Sequence, residues 1–248
     1  MLADVRAFTA FGCRPSAAIT SITFQNDDAL FGAEHLTVDT IRHQVMAVLE
    51  GGGIAAVKTG MLPTRAVVRE VARLFRETSL PAPVVDPVMR SSSGYALIEE
   101  EAVAELVNEL LPLARLVTPN IPEAEQITGL RINDIEGMRE AARMIRTSSV
   151  KAVLVKGGHL GNQDAGDRRQ EAGHRERTEA IDLLDNEGQV ITFRGDWIPN
   201  AKLRGTGCML SAAIAACLAN GKSLEEAISE AKQFVTNAIL QAQRTGSL

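Results

Sequence analysis

The chain is poor in groups that would staple a fold or hold a metal. Its 248 residues include only three cysteines, Cys13, Cys208 and Cys217. They form no paired framework, so reduced thiols and a cytoplasmic setting are expected. Four histidines, at positions 35, 43, 159 and 174, show no metal-ligand spacing. The net charge is −5 with no long basic run. A nucleic-acid binder concentrates positive charge on one face, so the composition argues against that class of partner. No apolar run is long enough to span a bilayer. The opening Met1-Leu2-Ala3-Asp4 turns amphipathic at once and carries no cleavable-signal pattern.

What the chain does contain suits a globular α/β protein. Hydrophobic residues make up 45% and charged residues 23%, and the length fits one domain over residues 1–248. Short β-branched runs at Ile19–Phe24, Ile54–Lys58, Val84–Asp86, Leu116–Thr118 and Ala152–Lys156 read as buried strands. Ala180–Leu184 and Val190–Arg194 read as an antiparallel pair joined at Asp185-Asn186-Glu187-Gly188. Helical periodicity covers Val38–Leu49, Arg65–Glu77, Glu100–Leu111, Ile135–Arg146, Cys208–Leu218 and Leu224–Ala242. Thr64 and the Ser223/Glu226 pair supply helix-start signals. The alternation predicts a mostly parallel sheet with helices on both faces, and ligands beyond the carboxyl ends of its strands. Gly161 to Thr178 is almost wholly polar and reads as a solvated loop, with a flap over a ligand as the alternative.

One segment stands out chemically. Arg204-Gly205-Thr206-Gly207-Cys208 runs directly into an apolar helix of small residues. Glycine permits a tight turn and close backbone approach. The first N–H groups of a helix lack internal partners, so Gly205, Thr206 and Gly207 offer an anion cradle. Cys208 lies in the positive end of the helix dipole, where its pKa is expected to fall toward that of a usable base. A plain glycine turn entering a buried helix, with Cys208 as packing, fits the same residues.

Further candidates close the other strands. Asp86 ends an apolar run and could meet Mg²⁺ through water. Asn120 and Glu123 share a helical face and could do likewise with nucleotide phosphates, although a helix start with Pro122 in its first turn needs the same residues. Lys156, ahead of Gly157-Gly158-His159, could neutralise a phosphate. Gln25 could read the edge of a flat heterocycle, and the Met61 sulfur could pack on its ring.

Together these motifs carry a resemblance. Gln25-Asn26, Lys58-Thr59-Gly60-Met61-Leu62, Asp86-Pro87-Val88-Met89, Thr118-Pro119-Asn120-Ile121-Pro122-Glu123-Ala124, Val155-Lys156-Gly157-Gly158-His159-Leu160 and Gly205-Thr206-Gly207-Cys208 follow one another in an order that resembles the hydroxymethylpyrimidine/phosphomethylpyrimidine kinases of thiamine biosynthesis. These belong to the ribokinase-like superfamily. The resemblance implies ATP- and Mg²⁺-dependent phosphorylation of a pyrimidine alcohol, then of its monophosphate. It implies that Gln25, Met61 and Asp4 face the pyrimidine and that Asp86, Asn120, Glu123 and Lys156 organise nucleotide. Asp86 and Glu123 would hold Mg²⁺ through water. Gly205 to Cys208 would form the anion hole, with Cys208 as the base, and a homodimer is implied as well. A pyridoxal or pyridoxine kinase, or a non-catalytic pyrimidine-binding relative, is the competing expectation. Two departures accompany the resemblance. The family's first strand and its Ser/Gly-rich segment have no counterpart before Asp4, a difference of about twenty residues. Arg204 stands where the family usually has histidine.

Overall fold

The computed structural model describes residues 1–26, 29–91, 94–148, 150–158, 179–199 and 203–245. The polar segment 161–178 and His159 lie outside the described residues. Helix α1 (Leu2–Ala10) leads into a hairpin, β1 (Ser21–Gln25) and β2 (Leu30–His35). Then follow α2 (Val38–Glu50), β3 (Lys58–Thr59), α3 (Arg65–Glu77), β4 (Val84–Val85) and α4 (Glu100–Glu105). The middle of the chain forms β5 (Leu116–Val117), α5 (Ile121–Thr128), α6 (Ile135–Thr147) and β6 (Ala152–Lys156). The last third forms β7 (Glu179–Asn186), β8 (Gln189–Asp196), α7 (Thr206–Ala219) and α8 (Leu224–Thr245).

The main sheet runs β3-β4-β5-β6-β7-β8 in order. Strands β3 to β6 are parallel, whereas β6-β7 and β7-β8 are antiparallel. Alternation along the strands sends side chains to two cores. Val85, Val117, Val153 and Val155 join residues of α3, α5 and α6 on one face. Val84, Leu116, Ala152 and Leu154 join α7, α8 and Ala7 of α1 on the other. Helix α7 is sandwiched there, and its residues from Met209 to Cys217 are all buried. Its small side chains let sheet, α1 and α8 approach it closely.

The expected helix starts are present. The Thr64 hydroxyl accepts from the Val67 amide at 3.2 Å. Ser223 and Glu226 cap each other reciprocally. The β7-β8 turn is tighter than the sequence suggests, with Glu187 and Gly188 both at positive φ (52° and 95°), as a two-residue hairpin requires.

Three expectations need correction. Ile19–Phe24 is not a buried strand of the main sheet. Its core forms β1 of a separate two-stranded hairpin, with Ile22 and Phe24 about half exposed at 52% and 51%. An apolar run cannot report whether a helix will cover its outer face. Ile54–Lys58 contributes only Lys58 to regular pairing, although the Val57 carbonyl still accepts from Val84 at 2.8 Å. Glu100–Leu111 is not one α-helix: a π-helical turn spans Leu106–Leu110 and a 3₁₀ turn Leu111–Leu113. Pro112 has no N–H to return to the Asn108 carbonyl, so the regular ladder cannot continue.

Candidate active site

Residues from four strand ends converge under the first turn of α7. Gly205 caps this helix in the left-handed region, at φ 75°, a conformation that favours glycine. No side chain caps the turn among the described residues. The amides of Thr206, Gly207 and Cys208 therefore remain available to a ligand. Ser211, fully buried, donates back to the carbonyls of Gly207 and Cys208 at 3.2 and 3.0 Å.

Beneath the turn lies a row of alternating charge. Asp86 leaves β4 only 2% exposed. Lys156, at the end of β6, places its ammonium 2.8 Å from Asp86 Oδ1. Lys58, at β3, lies 3.7 Å from Asp86 Oδ2 and 3.0 Å from Asp4 Oδ1 of α1. A Cβ on Gly207 would stand 3.2 Å from Lys156 Nζ, so glycine there leaves room for the ammonium. Lys156 is buried rather than reaching for solvent. Asn120 and Glu123 form a reciprocal capping box on α5, at 2.8 and 2.9 Å. They thus perform the structural role foreseen for a helix start, and Glu123 also lies within electrostatic reach of both Lys156 and Asp86.

The residues expected to meet the heterocycle are more dispersed. Asp4 belongs to the charged row. Met61 is half-buried, and its carbonyl accepts from the Thr20 hydroxyl at 2.7 Å. Gln25 is exposed on the hairpin. Its neighbour Asn26 is tied back to the anion turn, because Arg204 donates to the Asn26 carbonyl at 3.2 Å.

This arrangement, an uncapped helix start above paired buried charges, can now be set beside known proteins. The sequence model of the family described as phosphomethylpyrimidine kinase matches residues 1–248. A hydroxymethylpyrimidine/phosphomethylpyrimidine kinase of Streptomyces coelicolor is 38% identical over 237 residues, covering 96% of this chain and 82% of that protein. The chain belongs to the phosphomethylpyrimidine kinase family. Its fold is likewise similar to solved structures. A phosphomethylpyrimidine kinase from Clostridium difficile matches with a TM-score of 0.78 and 35% identity, over 96% of this chain and 91% of that one. A Staphylococcus aureus pyridoxal kinase in complex with AMP-PCP and pyridoxal matches with a TM-score of 0.81 and 31% identity, over 96% and 81%. The α/β architecture with a mostly parallel sheet is therefore the ribokinase-like one.

Within that family frame, the electrostatics correct one expectation. The Cys208 thiol is not lowered by the helix start. Burial, then the neighbouring Asp86 carboxylate, push it up to about 12, and Lys58 only partly opposes them. A half-charge at a helix end is weaker than a full carboxylate alongside. Burial works against the charge on Asp86 too, but Lys156 and Lys58 outweigh it and hold its pKa at about 2. Burial raises Glu123 to about 7, with Asp86 adding to the shift and Lys156 opposing it. Both lysines are raised despite burial. Lys58 is raised through its coupling to Cys208 and by the Asp86 and Asp4 carboxylates, and Lys156 by Asp86 and Glu123.

Among the described residues no cluster of three or more His, Cys, Asp or Glu could enclose a metal. A cation shared with phosphate oxygens and water needs fewer protein ligands. Asp86 Oδ2 is buried with no direct hydrogen bond, only the Lys58 ammonium 3.7 Å away, which fits such a role, with Glu123 alongside. Sequence reading quoted Lys58 within its motif but gave it no role, although it closes an apolar run as Lys156 does. No described helix is long and apolar enough to cross a membrane.

Proposed function

We propose that this chain transfers the γ-phosphoryl group of ATP to the hydroxymethyl oxygen of a pyrimidine, and then to the phosphate of the resulting monophosphate, as in thiamine biosynthesis. One observation carries the reading: the uncapped, glycine-started turn of α7 stands directly over Lys156 and Asp86. Amides aimed at developing charge are what phosphoryl transfer demands of a protein. The family's named activity agrees.

The roles divide by position. Gly205, Thr206, Gly207 and Cys208 bind the transferring group. Lys156, Asn120, Glu123 and Asp86 serve the nucleotide. Asp86 and Glu123 would hold Mg²⁺, largely through water, and that ion when bound would neutralise phosphate charge. Gln25 and Met61 meet the ring, with Asp4 beneath it. Arg204 keeps the Gln25 hairpin against the anion turn. The thiolate form of Cys208, scarce at neutral pH because burial and Asp86 raise the thiol, accepts the alcohol proton in the first transfer; the second acceptor is already ionised and has none to lose.

Residues 1–248 act as one kinase domain in this reading. The hairpin exposes Ile22, Phe24 and Phe31, the last at 70%, and we assign this surface to a homodimer contact. The free cysteines suit the cytoplasm. The second reading is a pyridoxal kinase, favoured by the likeness to the pyridoxal-bound structure. Purified protein supplied with Mg²⁺-ATP and either hydroxymethylpyrimidine or pyridoxal separates the two. Preference for the pyrimidine, with diphosphate as the end product, is expected. Preference for pyridoxal, or no turnover of the pyrimidine, rejects the first reading.

A further inference from the structure

Two buried ammoniums flank Asp86, and they face different halves of the site. Lys156 bonds Asp86 Oδ1, lies against Gly207, and joins its backbone to the Pro119 carbonyl at 2.8 Å, on the side of Asn120 and Glu123. Lys58 is held on the opposite side. Its side chain is 5% exposed and lies 3.0 Å from Asp4. Gly60 backs it, since a Cβ there would stand 3.0 Å from Nζ. Met61 follows in the chain, tied through Thr20 to the strand that carries Gln25. Lys58 thus projects its charge toward Asp4 and Cys208, the residues that the proposed function gives to the acceptor, as well as toward Asp86.

We propose that Lys58 is a specificity-determining residue: its fixed charge is what admits an already phosphorylated acceptor to this site. The inference rests on the two-step reading above. In the first transfer a neutral alcohol oxygen bonds to the γ-phosphorus, the bond to the β,γ-bridging oxygen breaks with its electron pair leaving on ADP, and the alcohol proton passes to the thiolate form of Cys208. In the second, a phosphate oxygen of the monophosphate makes the new bond, the same bond to ADP breaks, and no proton is released. That second acceptor carries close to two negative charges and must approach the triphosphate past Asp4, Asp86 and Glu123. Without Lys58, only Lys156 on Asp86 and the Met1 ammonium, 3.0 Å from Asp4 Oδ2, would offset them on this row. A neutral alcohol feels little of this repulsion, whereas a dianion feels all of it.

The test compares kcat/KM for the alcohol and for the monophosphate in the wild-type chain, Lys58→Met, Lys58→Gln and Lys58→Arg. Equilibrium dialysis with ATP and thermal melting report on the nucleotide half and on folding. Lys58→Met should depress the monophosphate reaction about tenfold or more beyond any loss with the alcohol. Lys58→Arg should keep the ratio within about threefold of wild type, because it keeps the charge. Should Lys58→Met not fold, Lys58→Gln retains a hydrogen bond to Asp4 without the charge and gives the same comparison. Equal losses with both acceptors would reduce Lys58 to a structural ion pair and overturn the proposal, as would an arginine variant that discriminates like the methionine one. A wild-type chain that phosphorylates neither pyrimidine removes the kinase reading first, and this inference with it.

Discussion

Replacing Cys208 with alanine asks whether the thiol takes the alcohol proton. Burial and Asp86 push that thiol up to about 12. At pH 7.5 only about one site in 10⁴ to 10⁵ would then carry thiolate, a population cost of about 6 kcal/mol. Such a base is strong but rare. Its concentration rises tenfold for each pH unit while the pH stays below the pKa, so the alcohol transfer should quicken about tenfold per unit between pH 7 and 9. Cys208→Ala should lower that transfer about 10²-fold or more and flatten its pH profile. The monophosphate transfer has no proton to remove, so it should fall less and show no such slope. Single-turnover measurement of ADP formation with each acceptor reads the chemical step directly. Equal losses in the two transfers, or a flat profile for the alcohol in the wild-type chain, would refute the assignment of Cys208 as base.

Three other substitutions probe the surroundings. Gly207→Val would drive a branched side chain toward the Lys156 ammonium, 3.2 Å from the position of its Cβ; turnover should drop about 10²-fold, and unchanged kinetics would count against the cradle. Asp86→Asn removes a carboxylate whose folded pKa is about 2, below its ordinary value of about 3.9. The stability from this shift is present above about pH 4 and lost as the pH falls through 2. Urea unfolding should show the variant about 2–3 kcal/mol weaker at pH 7 and closer to wild type at pH 2–3. Gly157→Ala would place a Cβ 2.0 Å from the Ile181 carbonyl oxygen. Forced separation of β6 from β7 should cost about 2–4 kcal/mol in the same assay, and a wild-type midpoint would contradict the close approach.

Much of the scaffold was legible because burial leaves a strong imprint on sequence. Ala152–Lys156 is buried throughout, and its apolar run marks β6 to the residue. Arg65–Glu77 places Val67, Val68, Val71, Ala72 and Leu74 on one face and matches α3 fully. Strand β2 was not legible, since Leu-Phe-Gly-Ala-Glu-His has neither alternation nor β-branching and owes its form to pairing with β1. The charged row was half legible. Each polar residue closing a strand was visible, but which ion sits beside which depends on the order of strands. The behaviour of Cys208 was misread for the same reason: its chain neighbours announce a helix start, while Asp86 is distant in sequence and adjacent in space.

The placement of α7 also bears on how the molecule is made. Lys58, Asp86 and Lys156 all point to the sheet face that α7 covers, yet α7 begins only at Thr206. On a ribosome everything from α1 to β8 would emerge with that face bare and its ions in water. Helix α1 would wait for a docking partner translated far later in the chain. Nascent chains stalled before Thr206 should therefore be protease-sensitive along α1 while the opposite layer of α3, α5 and α6 is already protected, and ligand affinity should appear abruptly once the penultimate helix clears the exit tunnel.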